Sequence, residues 1–144
     1  MLRADAVPVF SILIGLVSTE DSERILQVLE SLRHQQGSYK YEVIIADRRH
    51  DAVSSRLDKD YPAVKRIVCP ADMSLPELRT TALDEASGTY IIITEDHCVP
   101  TRDWLSSIAR AFEAAPEGTV AVGGCVENGV CDSALDWATF LCEY

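Results

Sequence analysis

The sequence is short of several things, and each absence removes a class of function. It has no apolar run of 18 residues: the most apolar N-terminal piece, 7–17, is interrupted by Pro8 and Ser11, so no membrane-spanning helix is expected. Arg3 and Asp5 stand ahead of that piece without a small-residue cleavage pattern; no signal peptide is expected and the chain reads as cytoplasmic. Basic residues are scarce, 13 Lys and Arg against 23 Asp and Glu for a net charge of -10. That balance argues against a nucleic-acid partner held by bulk electrostatics, though not against a nucleotide held by a few local groups and a metal ion. The five cysteines form no CxxC pair, and an odd number without ligand spacing points to buried thiols rather than disulfides or structural zinc. Neither GxGxxG nor GxxxxGK followed by Ser or Thr occurs, and GxSxG is missing too. The common phosphate loops and a serine hydrolase are thereby disfavoured.

What is present is a mixed-charge chain of 144 residues, 47% of them hydrophobic, the size of one globular domain with a sizeable core. Strand and helix patterns alternate along it. A near-continuous apolar run over 9–17 reads as a strand buried on both faces. Thr19–Asp21 supplies cap-type residues, after which Ile25, Val28, Leu29 and Leu32 recur at helical spacing until Gly37. Strands are expected over 41–46, 64–69, 90–94 and 120–126, with a weaker helix over 51–58. Ser74 and Glu77 have capping-box spacing before a helix whose inner face is Leu75, Leu78, Ala82 and Ala86. Thr101 is a candidate cap for a helix facing inward through Trp104, Leu105, Ile108 and Phe112, and a last helix is expected over 132–141. The aromatics Trp104, Phe112, Trp137 and Phe140 read as core. The alternation implies an α/β, Rossmann-like, mostly parallel sheet flanked by helices.

In such a sheet, ligands sit beyond the carboxyl ends of the strands. The most informative residues lie there: GTYIIITEDHCVPTRDWL, over 88–105, ends a strand on Glu95, Asp96 and His97. Alternation along an extended segment puts Glu95 and His97 on one side and Asp96 on the other. One carboxylate and one imidazole together can share a divalent cation with a diphosphate, manganese suiting the mixed donors better than calcium; the bland alternative is a polar loop. Asp47 ends another strand and can accept from a base or ribose, or simply cap the following helix. Arg79 can hold a phosphate or a ligating carboxylate, or pair with Glu77 on a solvated face. Cys98 reads as packing.

Taken together, these segments resemble the GT-A glycosyltransferases of family 2. FSILIGLVS is similar to that family's opening strand, VIIADR to its second, and LPELRTTALDEASGTYIIITEDHCVPTRDWL to its segment carrying the DxD metal motif. The resemblance implies a nucleoside-diphosphate sugar as donor, a UDP-sugar favoured, an unspecified acceptor, and Mn2+ or Mg2+ as cofactor. It places Asp47 at the base, Gly15 and Leu16 beside it through their backbone, Arg79 near the phosphates, Asp96 in the nucleotide site, and Glu95 and His97 on the metal. The chain departs from the family pattern at Gly15-Leu16-Val17-Ser18, at Arg48-Arg49-His50 and at His97, where an aspartate is usual. No stretch after Gly124 resembles the family's acceptor half or its catalytic base. The expectation is therefore a single nucleotide-sugar-binding domain over 1–144, with homo-oligomerisation possible through the C-terminal helix. A non-catalytic nucleotide-binding module and a metal-dependent hydrolase are the rival readings.

Overall fold

The computed structural model describes residues 8–17 and 23–143; the expected cap at Thr19–Asp21 lies outside them. In chain order the elements are β1 (Phe10–Leu16), α1 (Arg24–Arg33), β2 (Tyr41–Asp47), α2 (Ala52–Asp60), β3 (Lys65–Val68), α3 (Leu75–Asp84), β4 (Tyr90–Glu95), α4 (Trp104–Ala114) and α5 (Ala134–Glu143). Among the described residues the strands form one all-parallel sheet in the order β3-β2-β1-β4. β1 lies inside it, which explains why its sequence is apolar at nearly every position: all seven residues are buried. No helix among the described residues is long and apolar enough to cross a membrane.

The register decides where each strand-end side chain goes. Gly15 aligns with Ala46 and Glu95, whereas Leu16 aligns with Asp47. Successive residues of a strand point to opposite faces, so Glu95 leaves the sheet on the Gly15 face and Asp47 on the Leu16 face. The Gly15 face is covered by α3: Leu13, Ile44, Ala46 and Cys69 pack with Leu78 and Ala82. A Cβ at Gly15 would come within 2.5 Å of Leu75 Cδ1, so the missing side chain lets α3 sit close to β1. On the Leu16 face α2 is tied to the sheet through Ser54, whose hydroxyl donates to Asp47 at 2.6 Å. The expected apolar stripe of α1, Ile25, Val28, Leu29 and Leu32, is buried throughout.

The start of β4 is pinned from β1 and β2. Glu42 Oε1 accepts from Ser11 Oγ at 2.6 Å and from Ser87 N at 2.8 Å, and Gly88 N donates to Ser11 Oγ at 2.8 Å. A Cβ on Gly88 would meet Ser11 N at 2.6 Å and the Phe10 carbonyl carbon at 2.8 Å, both backbone atoms with no freedom to yield. Gly88→Ala is expected to destabilise the chain by about 1–3 kcal/mol or more, as overpacking does. Chemical denaturation measures it, and an unchanged midpoint would show that the β1–β4 approach is looser than described.

The molecule divides into two compact units, one ending at Ser106 and the other beginning at Ser107. Several expectations fail, most of them in the second. Residues 120–126 form no strand: Val120 is 95% exposed, and Gly123-Gly124 contributes nothing to pack. Cys69 is a buried thiol, but Cys125, Cys131 and Cys142 are exposed, because the segments carrying them bury little. Trp137 and Phe140 stack edge-on with centroids 6.2 Å apart, yet Trp137, Leu135 and Leu141 are exposed rather than core. On α4 only Leu105 is fully buried, Trp104 and Phe112 being half-buried. Thr101 does not cap that helix: its hydroxyl donates to Asp103 Oδ1 at 3.0 Å, and the helix begins after Asp103.

Candidate functional site

The carboxyl end of β4 gathers four of the expected residues. Glu95 closes the strand, and Asp96 and His97 then occupy a turn in which Cys98 N donates to Glu95 O at 3.4 Å. The extended segment stops at Glu95, so the alternation expected to run on to His97 does not apply to Asp96 and His97. Asp96 therefore does not point away from His97, which corrects the alternation argument. Its Oδ1 lies 3.1 Å from His97 Nδ1, while His97 Nε2 lies 3.2 Å from Glu95 Oε2. The imidazole is thus held between two carboxylates, with its Nδ1 engaged by a group that fixes the ring.

From α3, Arg79 brings Nη2 to 3.7 Å from Glu95 Oε1. Glu77, the rival partner, is occupied elsewhere: its Oε2 accepts from Ser74 N at 2.8 Å and Ser74 Oγ at 2.6 Å. These bonds at the helix start hold the Glu77 carboxyl below its ordinary range. Sequence spacing alone leaves Arg79 between two acids; the fold sends it to Glu95.

Among the described residues, the buried side-chain polar atoms without a hydrogen-bond partner are Arg79 Nε and Asp96 Oδ2. Buried polar atoms are nearly always paired, so each exception needs a reason. Both belong to this one cluster, on the face where Glu95 and His97 are each about a third exposed. Cys98 joins them: Glu95, His97 and Cys98 each present a ligand atom, all within 4.8 Å of one another. The packing expected of Cys98 says nothing of this proximity; the contiguous Glu-Asp-His-Cys run is the sequence signal for it.

Asp47 is elsewhere. It is fully buried on the opposite face, where Oδ1 accepts from Arg49 N at 2.8 Å, and Oδ2 accepts from Ser54 Oγ at 2.6 Å and from Arg66 Nη1 at 3.2 Å. The helix cap is its neighbour Asp51, whose Oδ1 accepts from Val53 N at 2.9 Å and Ser54 N at 3.1 Å. The departure Arg48-Arg49-His50 is tied down residue by residue. Arg48 Nη1 donates to Met73 O at 2.6 Å, Arg49 pairs with Asp51, and His50 Nε2 lies 2.8 Å from Cys69 O. His50 adopts φ 54°, a left-handed conformation that costs a non-glycine residue, and its ring contact offsets that cost. Gly15 and Leu16 are buried at the end of β1, between these two groups.

No curated protein matches the chain. Solved structures do. S. aureus TarS, residues 1–349 in complex with UDP, is similar over 72% of this chain and 32% of that one, at 19% identity and a TM-score of 0.58. The mannosyltransferase PcManGT from Pyrobaculum calidifontis, in complex with GDP-Man and Mn2+, covers 77% of this chain and 34% of that one, at 20% identity and a TM-score of 0.57. The chain thus spans about a third of the length of these structures, and the shared fold is that of the GT-A glycosyltransferases. The family profile described as glycosyl transferase family 2 matches residues 15–137, from the glycine that admits α3 against β1, through the Glu95 cluster, to a tryptophan of α5; by that match the chain belongs to glycosyl transferase family 2.

Proposed function

We propose that this chain is the donor-binding part of a glycosyltransferase, holding a nucleoside-diphosphate sugar, a UDP-sugar in the first instance, with a divalent cation at the carboxyl end of β4. The observation that carries the reading is the pair of orphaned buried atoms, Arg79 Nε and Asp96 Oδ2, on either side of a Glu95–His97 pair that is about a third exposed. A diphosphate oxygen accepts from the Arg79 guanidinium, which suits phosphate through its planar fork. A ribose hydroxyl donates to Asp96 Oδ2. Glu95 Oε2 and His97 Nε2, 3.2 Å apart, fit a shared cation: two ligands at about 2.1 Å from one ion lie roughly 3.0–3.4 Å from each other. Bound there, Mn2+ or Mg2+ would stabilise charge on the departing diphosphate. Gly15 and Leu16 present backbone toward the base. Asp47 shapes the loop 47–51 at that end, since contact with the base would require one of its three internal partners to let go.

Calorimetry with UDP and GDP, each with and without Mn2+, tests the reading. Binding of one nucleotide, strengthened by Mn2+, is expected. If neither binds at millimolar concentration with the cation present, the donor site is elsewhere or absent.

Asp96 orients the imidazole as well as meeting the nucleotide. Asp96→Asn is expected to weaken Mn2+ binding by about 10- to 100-fold, the usual cost of removing a partner that orients a ligating histidine, with the thermal midpoint little changed. Equal Mn2+ affinity in the variant would remove Asp96 from that role.

The exposed Leu135, Trp137 and Leu141 of α5 make self-association through that helix part of the proposal, because monomers rarely leave large apolar patches open. Sedimentation at tens of micromolar is expected to show dimers that Leu141→Glu disperses; a monomer at all concentrations would count against it.

A further inference from the structure

We infer that Cys98 is a third protein ligand at this site and that the site therefore favours a thiophilic cation, Zn2+ or Co2+, when one competes with Mn2+ or Mg2+. The inference rests on the donor-site reading and deepens it by naming the metal class. Three observations carry it. Glu95, His97 and Cys98 place an oxygen, a nitrogen and a sulfur within 4.8 Å of one another. A tetrahedral site with bonds of about 2.0–2.3 Å has ligand atoms roughly 3.3–3.8 Å apart; the Glu95–His97 pair is already at 3.2 Å, and the Cys98 sulfur, within 4.8 Å of both, would close on a bound ion by about 1 Å.

The second observation is the imidazole itself. Asp96 Oδ1 engages Nδ1, which leaves Nε2 as the ligating nitrogen, the carboxylate–histidine arrangement that accompanies metal sites. The third is charge. Glu95 and Asp96 set two carboxylates beside the single guanidinium of Arg79, and a Cys98 sulfur bound to a divalent ion would be deprotonated by the metal itself. A set of one thiolate, one imidazole and one carboxylate is soft enough to select zinc or cobalt, whereas magnesium and manganese prefer oxygen. Three protein ligands leave a fourth position open, where a diphosphate oxygen can bind. On binding, the Cys98 thiol gives its proton to solvent as the sulfur–metal bond forms.

The test uses the full chain with Cys125, Cys131 and Cys142 replaced by serine, so that exposed thiols add no signal. Titration with Co2+ is expected to give a near-ultraviolet thiolate-to-cobalt charge-transfer band that saturates at one ion per chain and disappears in Cys98→Ser. In that variant Zn2+ affinity falls by at least about tenfold, while Mn2+ affinity changes less than about threefold. A cadmium-113 resonance in the thiolate region provides the same readout without touching Cys98, should the variant fold poorly. No charge-transfer band, or one that survives Cys98→Ser, overturns the inference. If Mn2+ still binds and is lost in His97→Ala, the donor-site reading stands without Cys98; if no divalent ion binds at all, both fail.

Discussion

Asp47→Ala is expected to remove about 3–5 kcal/mol of folding stability, the usual cost of deleting one member of a buried ion pair and enough to unfold many domains of this size. The carboxylate is fully buried and accepts from Arg49 N, Ser54 Oγ and Arg66 Nη1 at 2.8, 2.6 and 3.2 Å. Truncation leaves the Arg49 amide without its acceptor and the Ser54 hydroxyl with only its long contact to Asp51 Oδ1 at 3.5 Å. Arg66 retains Asp58, which sets the effect nearer the lower bound. Asp47→Asn, which keeps the shape and one acceptor oxygen, is expected to lose less. Urea denaturation of the three proteins distinguishes the roles: if Asp47→Ala is as stable as the parent yet no longer binds nucleotide, Asp47 is a base contact and the internal network is incidental.

The second large effect falls on the other face. Glu95→Gln keeps volume and removes the charge that His97 and Arg79 share. Arg79 Nη2 and His97 Nε2 lie 3.7 and 3.2 Å from its two oxygens, so the variant loses a charged cation ligand and Arg79 loses its carboxylate partner. The expected outcome is a loss of Mn2+ affinity of about 100-fold or more, taking the cost of a lost orienting partner as the floor, with nucleotide binding reduced to what Arg79 supplies. Stability is expected to change little, since Glu95 is about a third exposed. Competition with a fluorescent chelator measures the first quantity, and retained Mn2+ affinity would take Glu95 out of the metal site.

These two residues show what was legible in the sequence and what was not. Glu95 was, because an apolar strand ending on a polar run is a local signal and the family segment around it is long. The first four strands were legible for the same reason, within a residue or two at each end. Asp47 looked equivalent to Glu95 from sequence, as another acid at another strand end. Its face is set by register, Leu16 against Asp47 and Gly15 against Glu95, and its burial by Arg66 on the neighbouring strand; neither is a local property. Asp96 was misplaced by extending strand alternation into a turn. The missing strand over 120–126 marks the same limit: apolar composition fits a strand, but strand formation depends on pairing that composition does not encode.

The central claim is that Glu95, His97 and a cation bind the diphosphate together, and the most direct measurement is the thermodynamic coupling between Mn2+ and UDP. UDP affinity is measured with and without Mn2+, and Mn2+ affinity with and without UDP, in the parent chain and in His97→Ala. Coupling is reciprocal, so the two ratios must agree. The account predicts a coupling of about tenfold or more in the parent, within the usual range of 1–3 kcal/mol, falling toward unity in His97→Ala. Equal UDP affinity with and without Mn2+ in the parent, or a coupling that His97→Ala leaves intact, would contradict it.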